Sequence, residues 1–320
     1  MLLAADIGGT KALLALYGEE APRFERRYAC REFASFAALL ERFRADAAEA
    51  LGASPRIVRA CLGVAGPVSG ERAELTNLAW QIDARDLGIP AVRMLNDFEA
   101  SAHGLAALGA DDLATLQAGA PRAAAPRLLI GAGTGLGLAF AIGRGRGLRV
   151  LASEGGHAAF APADELQDGL WRHLRGSLGR VELEHVISGP GLARIYAFLR
   201  DTGAAQSAVV TLAPDAEDAA PAIARAALGG GDAIALAALD LFIACYGAAA
   251  GDYALAVLAR GGVYVAGGIA PRILPRLRTG GFLVAFNAKG AFAGQARACP
   301  VHVVTNERLG LIGAAAAAPS

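Results

Sequence analysis

The chain has 320 residues, 54% hydrophobic and 19% charged, with 30 basic and 30 acidic side chains. This is a globular composition, long enough for one large domain or two ordinary ones, and with the charges balanced no basic excess points to nucleic acid or to a membrane surface. Cys30, Cys61, Cys245 and Cys299 lie far apart, which excludes a zinc motif or a disulfide framework and fits a reducing, cytoplasmic setting.

The first segment, MLLAADI, reads as a strand. It has no basic flank before an apolar core and already carries Asp6, so it does not read as a signal peptide. KALLALYG and FERRYACR follow as strands after short turns. Residues 34–51 place Phe36, Leu39, Leu40, Phe43 and Ala47 at helical spacing. IVRACLGVAG and VRMLN are two further strands, the second leading into a helix from Asp97 to about Ala107. APRAAAPR at 120–127 reads as a loop. A second α/β set begins at 128 with LLIG and LGLAFAIG, then a helix over 165–175. Helices dominate 188–258, and VYVAGG and VHVVTN return as strands. Residues 233–258 are apolar enough to span a bilayer. Asp240 and Asp252 interrupt them, at a cost of roughly 2.5–3.5 kcal/mol each at a membrane centre, so a helix buried within a domain is expected instead.

Five short motifs can carry chemistry. Asp6-Ile7-Gly8-Gly9-Thr10 ends one strand and precedes another, so it is a hairpin turn whose glycine amides can cradle a phosphate. A dinucleotide fingerprint or a Walker loop would open a helix. Gly131-Ala132-Gly133-Thr134-Gly135-Leu136-Gly137 repeats that plan in the second half, and Gly133 is expected to use a positive φ. Two such turns, one in each half, are what a nucleotide clamped between lobes needs. In Leu95-Asn96-Asp97-Phe98, Asp97 at the strand-to-helix turn reads either as an N-cap, worth about 1 kcal/mol, or as a general base. Glu154-Gly155-Gly156-His157, with Glu184 further on, suits sugar hydroxyls better than zinc, for which a third close ligand is missing. His103, His173, His185 and His302 read as surface or satisfied histidines. Gly267-Gly268, after a buried strand, permits close approach of a flat ligand or simply makes a tight turn into a helix near Pro271.

Taken in order, DIGGTKALLAL, GPVSGERAELTNLAW, LNDFEASAHGL, GAGTGLGLA, EGGHAAFAP, EHVISGPGLARIY, ARGGVYVAGGIAPRIL, GFLVAFNAKG and GLIGAA resemble the bacterial glucokinase family of the actin–hexokinase superfamily. LNDF together with EGGHxxFAP and SGPGLxxxY is the specific part, and Glu184 follows His157 by 27 residues, as the family's sugar-contact pattern expects. With no cysteine between Cys61 and Cys245, the resemblance is to the branch without zinc.

The resemblance implies an α/β, two-lobed, actin-like ATPase (ribonuclease H-like) fold, with mixed β-sheets flanked by helices and a cleft between lobes. The small domain would be 1–107 plus 306–320, and the large one 108–305. It implies ATP-dependent phosphorylation of the glucose 6-hydroxyl, with Asp97 as base and Asn96, Glu154, His157 and Glu184 on the other hydroxyls. Asp6 would position Mg²⁺ through water. Gly8, Gly9 and Thr10 would face the phosphates from one lobe and Gly133, Thr134 and Gly135 from the other, with Gly267 and Gly268 near adenine. Closure of the lobes on sugar would exclude water as a rival nucleophile. The expected partners are glucose, ATP and a second copy in a homodimer, with no nucleic acid and no membrane.

A kinase for another hexose is the nearest competing reading. A DNA-binding sugar sensor needs an added helix-turn-helix, and an actin-like filament or chaperone ATPase gives the sugar-side residues no purpose.

Overall fold

The computed structural model describes residues 1–19, 21–76, 78–203 and 219–319. Part of the helical expectation over 188–258 and residue 77 of the GPVSGERAELTNLAW stretch lie outside them. The chain divides into two compact units: 1–109 with 144–152 and 306–320, and 110–143 with 153–305. The division groups 144–152 with the first unit, whereas the sequence reading assigns that segment to the larger lobe.

The first unit is built on a five-stranded sheet in the order β3-β2-β1-β4-β8. Its strands are β1 (Leu2–Ile7), β2 (Lys11–Tyr17), β3 (Pro22–Ala29), β4 (Arg59–Val64) and β8 (Ala91–Asn96). β1 and β2 form an antiparallel hairpin, while β1, β4 and β8 run parallel. Register aligns Ile7 with Val64 and Val64 with Asn96, so three strands end together. A small antiparallel sheet of β5 (Val68–Ser69), β6 (Arg72–Glu74) and β7 (Gln81–Asp83) was not legible in the sequence.

Helix α1 (Phe36–Leu51) starts where Ser35 Oγ accepts the Ala38 amide at 3.2 Å and stops at Gly52, whose φ of 70° a side chain would resist. Phe36, Leu39, Leu40, Phe43 and Ala47 are its buried face, packed with Leu3, Ala5, Ile7 and Leu14. The other side of the sheet meets α2 (Asp97–Gly104) and α10 (Leu309–Ala316), through Ala4, Leu13, Cys61, Ala100, Leu311 and Ala314. Gly63 admits α2 closely: a Cβ there would lie 2.9 Å from that of Ala100.

The second unit repeats the hairpin-plus-parallel-strand plan. Its sheet contains β9 (Leu113–Gln117), β10 (Arg127–Ala132), β11 (Leu136–Ile142), β13 (Gly262–Ala266) and β14 (Val301–Val304), running β11-β10-β13-β14-β9. A short strand, β12 (Arg149–Ser153), returns the chain to the second unit. β10 pairs antiparallel with β11 and parallel with β13. The helices are α3 (Glu165–Leu178), α4 (Gly189–Asp201), α5 (Ala219–Leu228), α6 (Ala233–Val257), α7 (Leu274–Leu277), α8 (Gly281–Asn287) and α9 (Ala293–Arg297).

α6 is the apolar segment that by length and composition could cross a membrane, and it is mostly buried in this unit's core. Its two aspartates are paired, Asp240 with Arg276 at 2.5 Å and Asp252 with Lys289 at 2.6 Å. The helix expected near Pro271 begins at Leu274, because residues 267–273 are consumed by turns that start at Gly267, with φ of 80°.

Candidate active site

The residues singled out in the sequence fall into one group in each unit. In the first, Asp6 lies near the C-terminal end of β1, and Gly8-Gly9-Thr10 turn the chain into β2. The Gly8 amide donates to the Lys11 carbonyl at 3.0 Å, which closes the hairpin. The Gly8 amide is therefore taken up inside the hairpin and not available to the anion nest expected from this turn. The turn is held from β3: the Cys30 amide donates to the Thr10 carbonyl at 2.9 Å, and the Cys30 thiol donates to the Gly8 carbonyl at 3.3 Å.

Asp6 is the perturbed carboxylate of this group. Gly310 of α10 packs directly on it, where any Cβ would collide with the carboxylate. Burial pushes its pKa up to about 6, against the opposing pull of Arg27. At neutral pH it is still mostly ionised, a condition for meeting a cation.

Asn96 and Asp97 share the start of α2. The N-cap is Asn96, not Asp97: Asn96 Oδ1 accepts the Phe98 amide at 3.0 Å, and Asp97 is the first helical residue. Asp97 Oδ1 accepts the same amide at 2.9 Å. Asn96 and Asp97 thus share the Phe98 amide at the helix start. Asp97 stands where β1, β4 and β8 end.

In the second unit, the turn between β10 and β11 carries Gly133, Thr134 and Gly135. Here too the first glycine closes the turn, its amide donating to the Gly135 carbonyl at 2.8 Å. Gly133 does not take the expected positive φ, and a Cβ there would meet nothing within 4 Å. Gly135 is the restricted position, since a Cβ would run into the Glu184 carboxylate. Glu184 Oε2 accepts the Leu136 amide at 2.9 Å, and the Gly189 amide donates to the Gly133 carbonyl at 2.8 Å. The segment 184–189 thus staples both ends of this turn. Below it, the buried Tyr246 hydroxyl accepts the Ala132 amide and donates to the Ile130 carbonyl, both at 3.2 Å. Gly267 and Gly268 are exposed, and a Cβ on Gly267 would strike the Ala132 carbonyl.

Glu154, His157 and Glu184 come together through backbone pairing. The Glu184 amide donates to the Gly156 carbonyl at 2.9 Å, and the His157 amide to the Glu154 carbonyl at 3.0 Å. The Tyr253 hydroxyl holds the Gly155 carbonyl at 2.6 Å. His157 Nδ1 lies 2.8 Å from Glu182 Oε2, and that bond, with the nearby Glu184 and Glu154, raises the imidazole pKa. Glu182, Arg180 and Tyr253 were not found from the sequence. Glu182 and Arg180 reach His157 across the bridge between Ala159 and Glu182, and Tyr253 reaches Gly155 from α6; no local pattern signals either. His185 is a satisfied histidine, its Nδ1 accepting the Glu182 amide at 3.1 Å. Among the described residues, no three His, Cys, Asp or Glu side chains converge as metal ligands.

The two glycines of this one turn predict opposite outcomes for the same substitution. Gly133→Ala keeps the melting temperature within about 2 °C of wild type, because the added methyl meets open space. Gly135→Ala displaces the Glu184 carboxylate from the Leu136 amide and lowers stability by about 1–3 kcal/mol, with turnover falling alongside. Thermal melts and steady-state kinetics on both variants check this; equal behaviour would remove Glu184 from its place against the turn.

The family model named glucokinase matches residues 3–320. The chain is 41% identical over 344 residues to a glucokinase of Synechocystis sp., covering 99% of this chain and 97% of the relative. It is 42% identical over 338 residues to a glucokinase of Nostoc sp., covering 98% of each. Among solved structures, a glucokinase from an Antarctic psychrotroph superposes with a TM-score of 0.82 at 31% identity, over 98% of this chain and 97% of that one.

Proposed function

The chain belongs to the glucokinase family, and on that premise we propose how its side chains divide the transfer of the γ-phosphoryl group of ATP to the 6-hydroxyl of glucose. Phosphoryl transfer asks little covalent chemistry of a protein. It needs the alcohol and the phosphate held in line, a proton acceptor, and stabilisation of charge on the phosphoryl oxygens.

Asp97 accepts the proton of the 6-hydroxyl. Asn96, Glu154, His157 and Glu184 hold the other hydroxyls of the sugar. The amides of Gly9, Thr10, Thr134 and Gly135 are assigned to the phosphates, and Gly267 and Gly268 to the surroundings of adenine. The observation that carries this reading is the placement of Asp97 at the joint ending of three parallel strands, where the helix cap is already supplied by Asn96.

The residues present fit a magnesium ion. Mg²⁺ keeps several waters and takes one or two carboxylates together with substrate phosphates, and Asp6 beside the first turn is one such carboxylate. When bound, the ion would neutralise charge on the transferring phosphoryl group. Asp6 would help hold it, and its ionised state at neutral pH is what it would contribute. We further assign the protein to the cytoplasm, where its four buried, free thiols stay reduced. The family resemblance adds a homodimer to this proposal.

Sugar choice tests the assignment. A buried polar group left without its hydroxyl costs about 1–3 kcal/mol. Glucose is therefore preferred over fructose and galactose, and N-acetylglucosamine is a very poor substrate. Glu184→Ala lowers kcat/KM for glucose and narrows its margin over deoxy analogues. The measurement is kcat/KM for each sugar at saturating Mg-ATP in wild type and variant. Better use of fructose or N-acetylglucosamine than of glucose would overturn the substrate assignment and leave a hexose kinase.

A further inference from the structure

We propose that Glu182 is a positioning residue for His157: it fixes Nδ1 as the hydrogen-bonded nitrogen of the ring and thereby presents Nε2 to the sugar. The inference rests on the sugar-contact reading of His157 and goes beyond it by assigning a residue outside the sugar-contact set.

The geometry is a bracket with three anchors. Glu182 Oε2 lies 2.8 Å from His157 Nδ1. Its other oxygen, Oε1, is held by Arg180 Nε at 3.3 Å, and Arg180 Nη2 also donates to the His157 carbonyl at 2.9 Å. The Glu182 backbone is fixed by its amide bond to His185 Nδ1 at 3.1 Å and by the antiparallel bridge to Ala159. Neighbouring bonds close the same seam: Phe160 amide to Val181 carbonyl at 3.0 Å, Leu183 amide to Ala158 carbonyl at 2.9 Å. The pairing that also carries Glu184 fixes the Glu182 backbone beside the ring, and Arg180 and His157 hold its carboxylate there.

A carboxylate on one imidazole nitrogen decides the tautomer and the ring plane, because the ring then keeps its proton on the bonded side. The His157 side chain is 53% exposed, so without such a partner it would sample several rotamers and lose entropy on meeting a ligand. The charged groups around the ring are Glu154 on its own turn, and Arg180, Glu182, Glu184 and His185 on the paired segment. Glu182 is the one hydrogen-bonded to it, and its charge holds the imidazolium form to higher pH. Glu182→Gln keeps an acceptor for Nδ1–H and removes the charge; Glu182→Ala removes both.

The test follows the His157 ring by ¹⁵N NMR in the whole chain, with steady-state kinetics alongside. Without sugar, His157 is expected to titrate at lower pH in both variants than in wild type. KM for glucose is expected to rise about tenfold in Glu182→Ala and to stay near wild type in Glu182→Gln above the titration, with kcat little changed in either. A His157 titration and glucose KM in Glu182→Ala that match wild type would overturn the proposal alone. If saturating glucose leaves the wild-type His157 signals unmoved, the sugar-contact reading falls and the proposal falls with it. Should Glu182→Ala not fold, the titration shift in Glu182→Gln decides the matter.

Discussion

Asp97→Asn is expected to lower kcat by about 10²–10⁴-fold while glucose binding is largely kept. The substitution is nearly isosteric, and an asparagine Oδ1 can still accept the Phe98 amide that Asp97 accepts at 2.9 Å. Asn96 caps α2 as well, at 3.0 Å, so the helix start does not rest on residue 97 alone. What is lost is the basic oxygen that takes the hydroxyl proton as the O–P bond forms. The loss should thus appear in kcat and not in the melting temperature or in the glucose dissociation constant. Kinetics, a melt and a glucose titration on one preparation separate these effects. A variant with near-normal kcat would remove Asp97 as the base.

Asp6→Asn should separate stability from activity. The Asp6 carboxyl has its folded pKa raised from 3.8 to about 6, chiefly by burial. A raised folded pKa means that the protonated form suits the fold, so this group's stabilising contribution is complete below pH 3.8 and is lost as pH rises through 6. At neutral pH the wild type carries a charge on a half-buried, desolvated carboxylate, at a cost of at most about 3 kcal/mol, which the amide does not. Asp6→Asn should therefore melt higher than wild type above pH 6, with the margin closing as pH falls toward 3.8. Turnover should fall by at least about 10²-fold, because a neutral amide is a poor partner for the cation on the phosphates. The same titration predicts that wild-type turnover declines as pH drops through 6. Melting curves across pH and steady-state rates check both halves. A variant that melts lower at pH 7 would refute the burial account, and one that retains turnover would refute the role with the cation.

The sequence made the strands and the order of motifs legible where local signals were strong. The hairpins at Gly8-Gly9 and Gly133–Gly135, the amphipathic face of α1 and the apolar helix α6 were read from periodicity and turn chemistry. Positions set by tertiary packing were not. The sequence named Asp97 as the possible cap because aspartate is a good one, and the structure gives that place to Asn96 one residue earlier. It assigned Gly133 a positive φ, whereas the packing constraint lies at Gly135, against a carboxylate 49 residues away in the chain. Glu182 stayed hidden because its partner is brought in by a single β-bridge. Gly310 of the last helix packs against the Asp6 carboxylate, a contact that no reading of the first ten residues can reveal.

The central claim is tested most directly by the product itself. Purified chain, glucose and Mg-ATP are incubated together, and the sugar ester is identified by ³¹P and ¹³C NMR while ADP is counted. The account predicts one ADP for each phosphate transferred, with the ester on the 6-oxygen, and negligible ADP formation when glucose is left out. ATP hydrolysis without a sugar ester, or an ester on any other hydroxyl, would contradict it.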